Sequence, residues 1–205
     1  MGHLLRTCVI AIALLAGGAG GHASAATDPE EARVYIEDLG ERTLDLLQSN
    51  LSQAELVAAF RELFTGYFDA YTIGRFVLGI HWRRATPEQQ NTFVDLFREL
   101  MVQTYARRFS DYAGQGFRVN GAGPEGASDA MVLSQVIQPQ APPVTVQWRV
   151  RDQGGTLNII DVVIEGVSMA ITYRNEFNSV IQRTGGMDGL LDAMRRSIAE
   201  ERQGE

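Results

Sequence analysis

The sequence predicts an α+β fold with helices packed on one side of a curved antiparallel sheet, and three observations carry that prediction. Apolar residues recur at three- and four-residue steps as far as residue 109 and alternate every second residue between 117 and 165. The links between the alternating segments are too short for crossover helices, so neighbouring strands must run antiparallel. Gathering the helices on one face of that sheet buries both apolar surfaces at once.

The elements follow in order. Asp28-Pro29 sets an N-cap and a first-turn proline, and Ala32, Tyr35, Ile36, Leu39, Thr43, Leu46 and Leu47 form a helical stripe to about Gln48. Ser52 caps a second helix, from Gln53 to about Phe68, with Leu56, Val57, Phe60, Leu63 and Phe64 on its apolar side. A short helix from Thr72 to Leu78 stops at Gly79. Thr86-Pro87-Glu88-Gln89 then reads as a capping box. The helix it starts keeps Phe93, Leu96, Phe97, Leu100, Met101, Thr104, Tyr105 and Phe109 on one face until Gly114 and Gly116. That face either packs as core or lines a cavity, since aromatic and methionine stripes serve both purposes.

Strands are expected over Phe117–Gly121 and Ala130–Gln138, and Val144, Val146, Trp148 and Val150 alternate with polar neighbours. Asp152-Gln153-Gly154-Gly155 joins this strand to a returning one, Leu157–Glu165, with Ile160, Val162 and Ile164 on one face and Leu157, Ile159, Asp161 and Val163 on the other. Ser168 is expected to cap a helix ended by Gly185-Gly186, and Asp188 to cap a last one.

With 205 residues, 45% hydrophobic and 21% charged, the chain is neither disordered nor a disulfide-stapled miniature. Residues 1–25 read as a signal peptide: Arg6, the apolar run Val9–Ala16, and Ala23-Ser24-Ala25 as the cleavage box. A single domain, 26–205, is expected to follow. Removing Arg6, with no acid lost, moves the formal charge from −7 to −8. That balance argues against nucleic acid. An exported, acidic domain whose one cysteine, Cys8, lies in the leader points to the periplasm.

All basic residues are arginine, which removes Schiff-base chemistry and a P-loop lysine. His81 is the single histidine after the leader, so no histidine metal cluster is expected. Gly166-Val167-Ser168-Met169-Ala170 lacks the last glycine of a nucleophile elbow, and no histidine follows it. Asp161 is expected to pair across the sheet with Arg149 or Arg151, and Glu88, Asp95 and Glu99 to face solvent. No catalytic residue, metal or cofactor is expected.

Several stretches in order resemble the MlaC family, also called the toluene-tolerance auxiliary component. They are Val77-Leu78-Gly79, Trp82-Arg83, Ala85-Thr86-Pro87-Glu88-Gln89, Phe93–Tyr105, Asp161-Val162 with Ile164-Glu165-Gly166-Val167-Ser168, and Tyr173, Phe177 and Gly185-Gly186. Pro142-Pro143-Val144 and Trp148-Arg149-Val150 are also similar to its hopanoid-associated HpnM branch. The resemblance implies a periplasmic carrier with bound lipid as cargo, a phospholipid or a hopanoid. It also implies as partners an inner-membrane ABC lipid transport complex and an outer-membrane lipid complex. A non-catalytic interaction adaptor with a solid core is the alternative. For a carrier, Val146, Trp148, Val150, Ile160, Val162 and Ile164 are expected as the sheet wall of the cavity, opposed by Phe76, Phe93, Phe97, Leu100 and Met101. At −8 the protein should bind bare anionic vesicles weakly and dock through protein partners, with Arg83-Arg84 and Arg107-Arg108 as candidate local contacts.

Overall fold

In the computed structural model, which describes residues 26–49, 51–109 and 114–203, helix α1 (Pro29–Gln48) begins as its sequence requires. Asp28 accepts from the backbone N–H groups of Glu30 and Glu31. The expected signal peptide lies outside the described residues. Helix α2 (Gln53–Tyr67) opens with a complete capping box between Ser52 and Glu55. Helix α3 (Ala70–Leu78) starts earlier than expected, because Asp69 rather than Thr72 supplies the cap, accepting from the Thr72 N–H at 2.9 Å.

Gly79 sits at φ +54°, where side-chain-bearing residues are disfavoured, and lets the chain turn directly into a five-residue helix, α4 (Ile80–Arg84), that periodicity does not reveal. The Thr86/Gln89 capping box forms as expected, with both hydrogen bonds made, and starts α5 (Pro87–Phe109).

The sheet is an antiparallel meander, β1 (Gly116–Glu125), β2 (Asp129–Ile137), β3 (Val144–Asp152), β4 (Leu157–Ile164) and a two-residue β5 (Val167–Ser168), in sequence order. Ser168 also caps α6 (Met169–Thr184), accepting from the Ile171 N–H at 3.1 Å. The last helix is α7 (Met187–Gln203). Asp188 does not cap it. The carbonyl of Gly186 accepts the first intrahelical bond, and Asp188 lies one residue inside, accepting from Gln89 Nε2 at 2.7 Å.

The fold is α+β, with α1 lying against β1 and β2 while α2, α3 and α6 touch β4. Two apolar clusters result. One joins α2, α3, α5, α6 and α7 around Phe93 and Phe97, whose stacked rings each meet Phe177 edge to face. The other lies between α1 and the sheet, with Ala32, Ile36, Val132, Val150 and Ile159 at its centre.

One helix-side residue departs from the expected solvent face. The Glu99 side chain is only 16% exposed and accepts from Arg61 of α2, Gln103 of α5 and Arg202 of α7. Burial opposes its ionisation, but these hydrogen bonds outweigh burial and hold its carboxyl down at about 2.

Candidate functional site

Between the two clusters lies an apolar cavity of about 490 Å³. It takes walls from both layers. α1 contributes Leu39, Gly40, Thr43, Leu44 and Leu47, and α2 and its end contribute Phe60, Phe64 and Phe68. Phe97, Met101 and Tyr105 face in from α5, and Met169, Ala170 and Tyr173 from α6. The sheet supplies Phe117, Val136, Val146, Trp148, Ile160 and Val162, with Ile164 at its end. Phe64, Ile73, Phe97, Met101 and Ala170 form a buried floor. Thr43, Leu47, Gln115, Gln138 and Ile164 are half-buried and gather where β1 starts and β2 and β4 end, which marks the mouth.

The polar groups of the lining are mostly turned away or satisfied. The Thr43 hydroxyl donates to its own helix at Leu39 O, 2.7 Å away. The indole N–H of Trp148 donates to Ser134 Oγ at 2.9 Å, and that fully buried hydroxyl donates in turn to Val146 O at 3.0 Å. Among the described residues, Asp161 is the single charged residue in the wall. Its carboxylate accepts from Ser168 Oγ at 2.6 Å and from the Ala170 N–H at 3.0 Å, so it closes the N-terminus of α6. The expected ion pair with Arg149 or Arg151 does not form: Arg149 bonds Glu125, and Arg151 bonds the buried Asp129 bidentately. Asp161 does sit opposite Arg149 in the ladder, but the free Ala170 N–H of α6 and the Ser168 hydroxyl take its two oxygens. Among the described residues, none in the wall forms a nucleophile–base pair or a metal-ligand cluster. His81 bonds Asn178 on the surface, with Nε2 3.0 Å from Oδ1.

Of the eleven residues expected to form the walls, Phe97, Met101, Val146, Trp148, Ile160, Val162 and Ile164 line the cavity. Phe93, Leu100, Val150 and Phe76 do not. Phe93 is fully buried, packed against Gly74 and Phe177 within the helical cluster, and Leu100 packs into the same cluster. A long helix with neighbours on three sides has a wider buried arc than a single cavity can use. Val150 is also fully buried, but beneath α1 and beyond the cavity's closed end. Phe76 is 44% exposed, because Ile73, Val77 and Leu78 take the inward positions of α3.

In β4 a bulge interrupts the alternation. Arg149 pairs with Asp161 but Val150 with Ile159, which inserts Ile160 and turns both isoleucines inward, correcting the outward assignment of Ile159. The α1 and α2 walls were missed. Their apolar stripes were visible, but a stripe says that a face is buried and not what it faces.

Gly40 has a specific reason to be glycine. A Cβ built there would lie 2.2 Å from Cδ1 of Phe117, so that ring rests on the α1 backbone, and its other edge meets Trp148 at 6.3 Å between centroids. Helix and sheet thus approach most closely at the wall of the cavity.

Comparison with known proteins adds the following. The family profile described as "MlaC protein" matches residues 37–196. The toluene tolerance protein ttg2D of Pseudomonas putida is 26% identical over 137 residues, 66% of this chain and 64% of that protein, so the match spans just under two thirds of the relative's length. The intermembrane phospholipid transport system binding protein MlaC of Haemophilus influenzae is 24% identical over 176 residues, 82% of either chain. A phospholipid-binding protein from Ralstonia solanacearum, solved in complex with a phospholipid, superposes with a TM-score of 0.73 at 24% identity, covering 83% of this chain and 98% of that one. At that identity the likeness speaks for the fold.

Proposed function

Because the chain belongs to the MlaC family, we propose that it is a periplasmic lipid carrier that shields the acyl chains of a phospholipid in this cavity. It shuttles that cargo between an inner-membrane ABC transport complex and an outer-membrane lipid complex. The observation that carries the reading is the cavity itself: about 490 Å³, walled by hydrocarbon and aromatic side chains, with the Asp161 carboxylate already bonded to a helix end. A solid-core adaptor has no use for such a space. The relatives named for phospholipid transport and phospholipid binding support the same reading.

Magnitudes explain the design. Two acyl chains carry on the order of 30 methylenes, and at about 0.8 kcal/mol each their exposure to water would cost roughly 25 kcal/mol. A hydrocarbon-lined cavity removes that cost about as well as a bilayer does, so loading and unloading are nearly balanced. Partner complexes then set the direction. In this reading Phe97, Met101, Val146, Trp148, Ile160, Val162 and Ile164 contact the chains, together with the α1 and α2 walls. Thr43, Gln115 and Gln138 lie nearest the head group.

Solvent extraction of the purified protein followed by mass spectrometry tests the proposal. The expected result is close to one phospholipid per chain. A polycyclic hopanoid in its place would reassign the cargo, and protein purified without lipid that also takes none from vesicles would overturn the carrier reading.

A further inference from the structure

The formal charge of the chain argues against an anionic partner, but net charge averages over a surface that is not uniform. No acid occurs between Ala70 and Pro87, which covers all of α3 and α4. Arg75, Arg83 and Arg84 of this stretch are exposed, as are Arg174 and Arg183 of α6, the neighbouring helix. Among the described residues none of these five forms an ion pair. Elsewhere Arg33, Arg42, Arg61, Arg98, Arg107, Arg149, Arg151, Arg195 and Arg202 are each held by a carboxylate, while Arg118, which bonds Gln135, and Arg196 on α7 are further described arginines without one.

Glu176 is the one exposed acid of α6, and the densest acidic surface lies elsewhere. α1 carries Glu30, Glu31, Glu37, Asp38, Glu41 and Asp45 against two arginines, and it lies on β1 and β2, whereas α3 and α6 lie on β4. Three inter-strand spacings, about 15 Å, separate β1 from β4. That exceeds a Debye length of about 8 Å at physiological ionic strength, so a surface meeting the basic face scarcely senses the acidic one.

The basic face is also where apolar side chains stand out. Phe76, Ile80 and Ile171 are 44%, 47% and 53% exposed. Arg174 lies over the Phe76 ring at 5.2 Å, and Arg75 over the Tyr71 ring at 5.9 Å, which sets each cation beside an aromatic ring. The helices are locked together there, with Asn178 bonded to His81 and the Arg174 guanidinium against Gly79, so these side chains share one rigid surface.

We propose that the face formed by α3, α4 and α6 docks on an anionic lipid bilayer. The arginines meet head-group phosphates, and Phe76, Ile80 and Ile171 enter the interfacial layer. An amphipathic helical face with arginines beside protruding apolar residues matches the layered chemistry of a bilayer surface, polar above and apolar a few ångströms below.

Flotation of the lipid-loaded or lipid-free protein with vesicles of phosphatidylethanolamine and phosphatidylglycerol, against pure phosphatidylcholine, tests the surface independently of what the cavity holds. Binding to the anionic vesicles at 50 mM salt, lost at 500 mM and absent on phosphatidylcholine, is expected. Each arginine near an anionic surface contributes about fivefold, so Arg75→Ser with Arg174→Ser should weaken binding roughly 30-fold. Arg83→Ser with Arg84→Ser should do the same without touching either ring contact. Phe76→Ser with Ile171→Ser should weaken binding at 50 mM salt, while Arg33→Ser on α1 should leave it unchanged. Thermal unfolding confirms that each variant folds.

Three results would overturn the proposal: no flotation of the wild type at 50 mM salt, flotation unaltered by the three double variants, or retention by an acidic polypeptide but not by vesicles. A dimer that these same substitutions dissociate would overturn it too, by giving the face to a second copy of the chain.

Discussion

Gly40→Ala is the sharpest probe of how helix and sheet meet. On an exposed helix this substitution would stabilise by about 1 kcal/mol, because glycine lowers helix propensity by that amount. Here the added methyl falls 2.2 Å from Cδ1 and 2.4 Å from Cε1 of Phe117, well inside van der Waals contact, so the ring must move by more than an ångström. Overpacking of that kind costs about 1–3 kcal/mol. The net effect is then a loss of about 1 kcal/mol, or about 2–4 °C in Tm for a chain of this size. Removing the ring should reverse the sign. In a Phe117→Ala background nothing blocks the methyl, and Gly40→Ala should recover the helix-propensity gain of about 1 kcal/mol. Urea denaturation of the four proteins measures both legs of the cycle. Stabilisation by Gly40→Ala in both backgrounds would refute the placement of the Phe117 ring on α1.

Two further predictions concern charge. Glu99→Gln removes the charge that joins Arg61 and Arg202 and should cost about 2 kcal/mol at pH 7. Since the folded carboxyl is held at about 2 and an unfolded glutamate titrates at about 4.3, the wild type loses this stability as pH falls from about 5 to 2. Denaturation midpoints of the two proteins should therefore draw together over that range, and a gap undiminished at pH 2 would contradict the assignment. Val162→Glu places a carboxylate in the sheet wall, where desolvating it costs several kcal/mol, and lipid carried by the folded variant should fall at least tenfold by mass spectrometry. Unchanged loading would show that the chains do not run past Val162.

Much of the fold is legible because its signals are local. Asp28-Pro29, Ser52 and the Thr86/Gln89 pair each satisfy free helix N–H groups within three residues, and all three start helices where expected. Strand alternation correctly orients Val146 and Trp148, and Val162 and Ile164 with them. What escapes is everything decided by a distant neighbour. Asp161 had a cross-strand arginine within reach in the ladder, yet its partner is a helix end seven to nine residues on, chosen by unsatisfied N–H groups that no pairing rule counts. The bulge at Ile160 adds one residue to a strand whose composition looks regular. Phe93 and Phe97 lie one turn apart on the same stripe, but the first faces Phe177 and Gly74 while the second reaches the cavity. Periodicity cannot tell those fates apart.

The way the chain enters the fold bears on how the protein can be handled on a surface. Thr27 is nearly inaccessible. Its N–H and hydroxyl donate to Ser128 O at 3.1 and 2.6 Å, and its Oγ1 accepts from the Asp152 N–H at 2.8 Å. Those partners sit by the β1–β2 turn and at the end of β3, so this threonine nails the start of α1 to the closed end of the sheet. From there α1 runs about 30 Å to its last turn beside the mouth. A bead or sensor chip linked ahead of Thr27 would therefore present the opening to solution, a full helix length from the support.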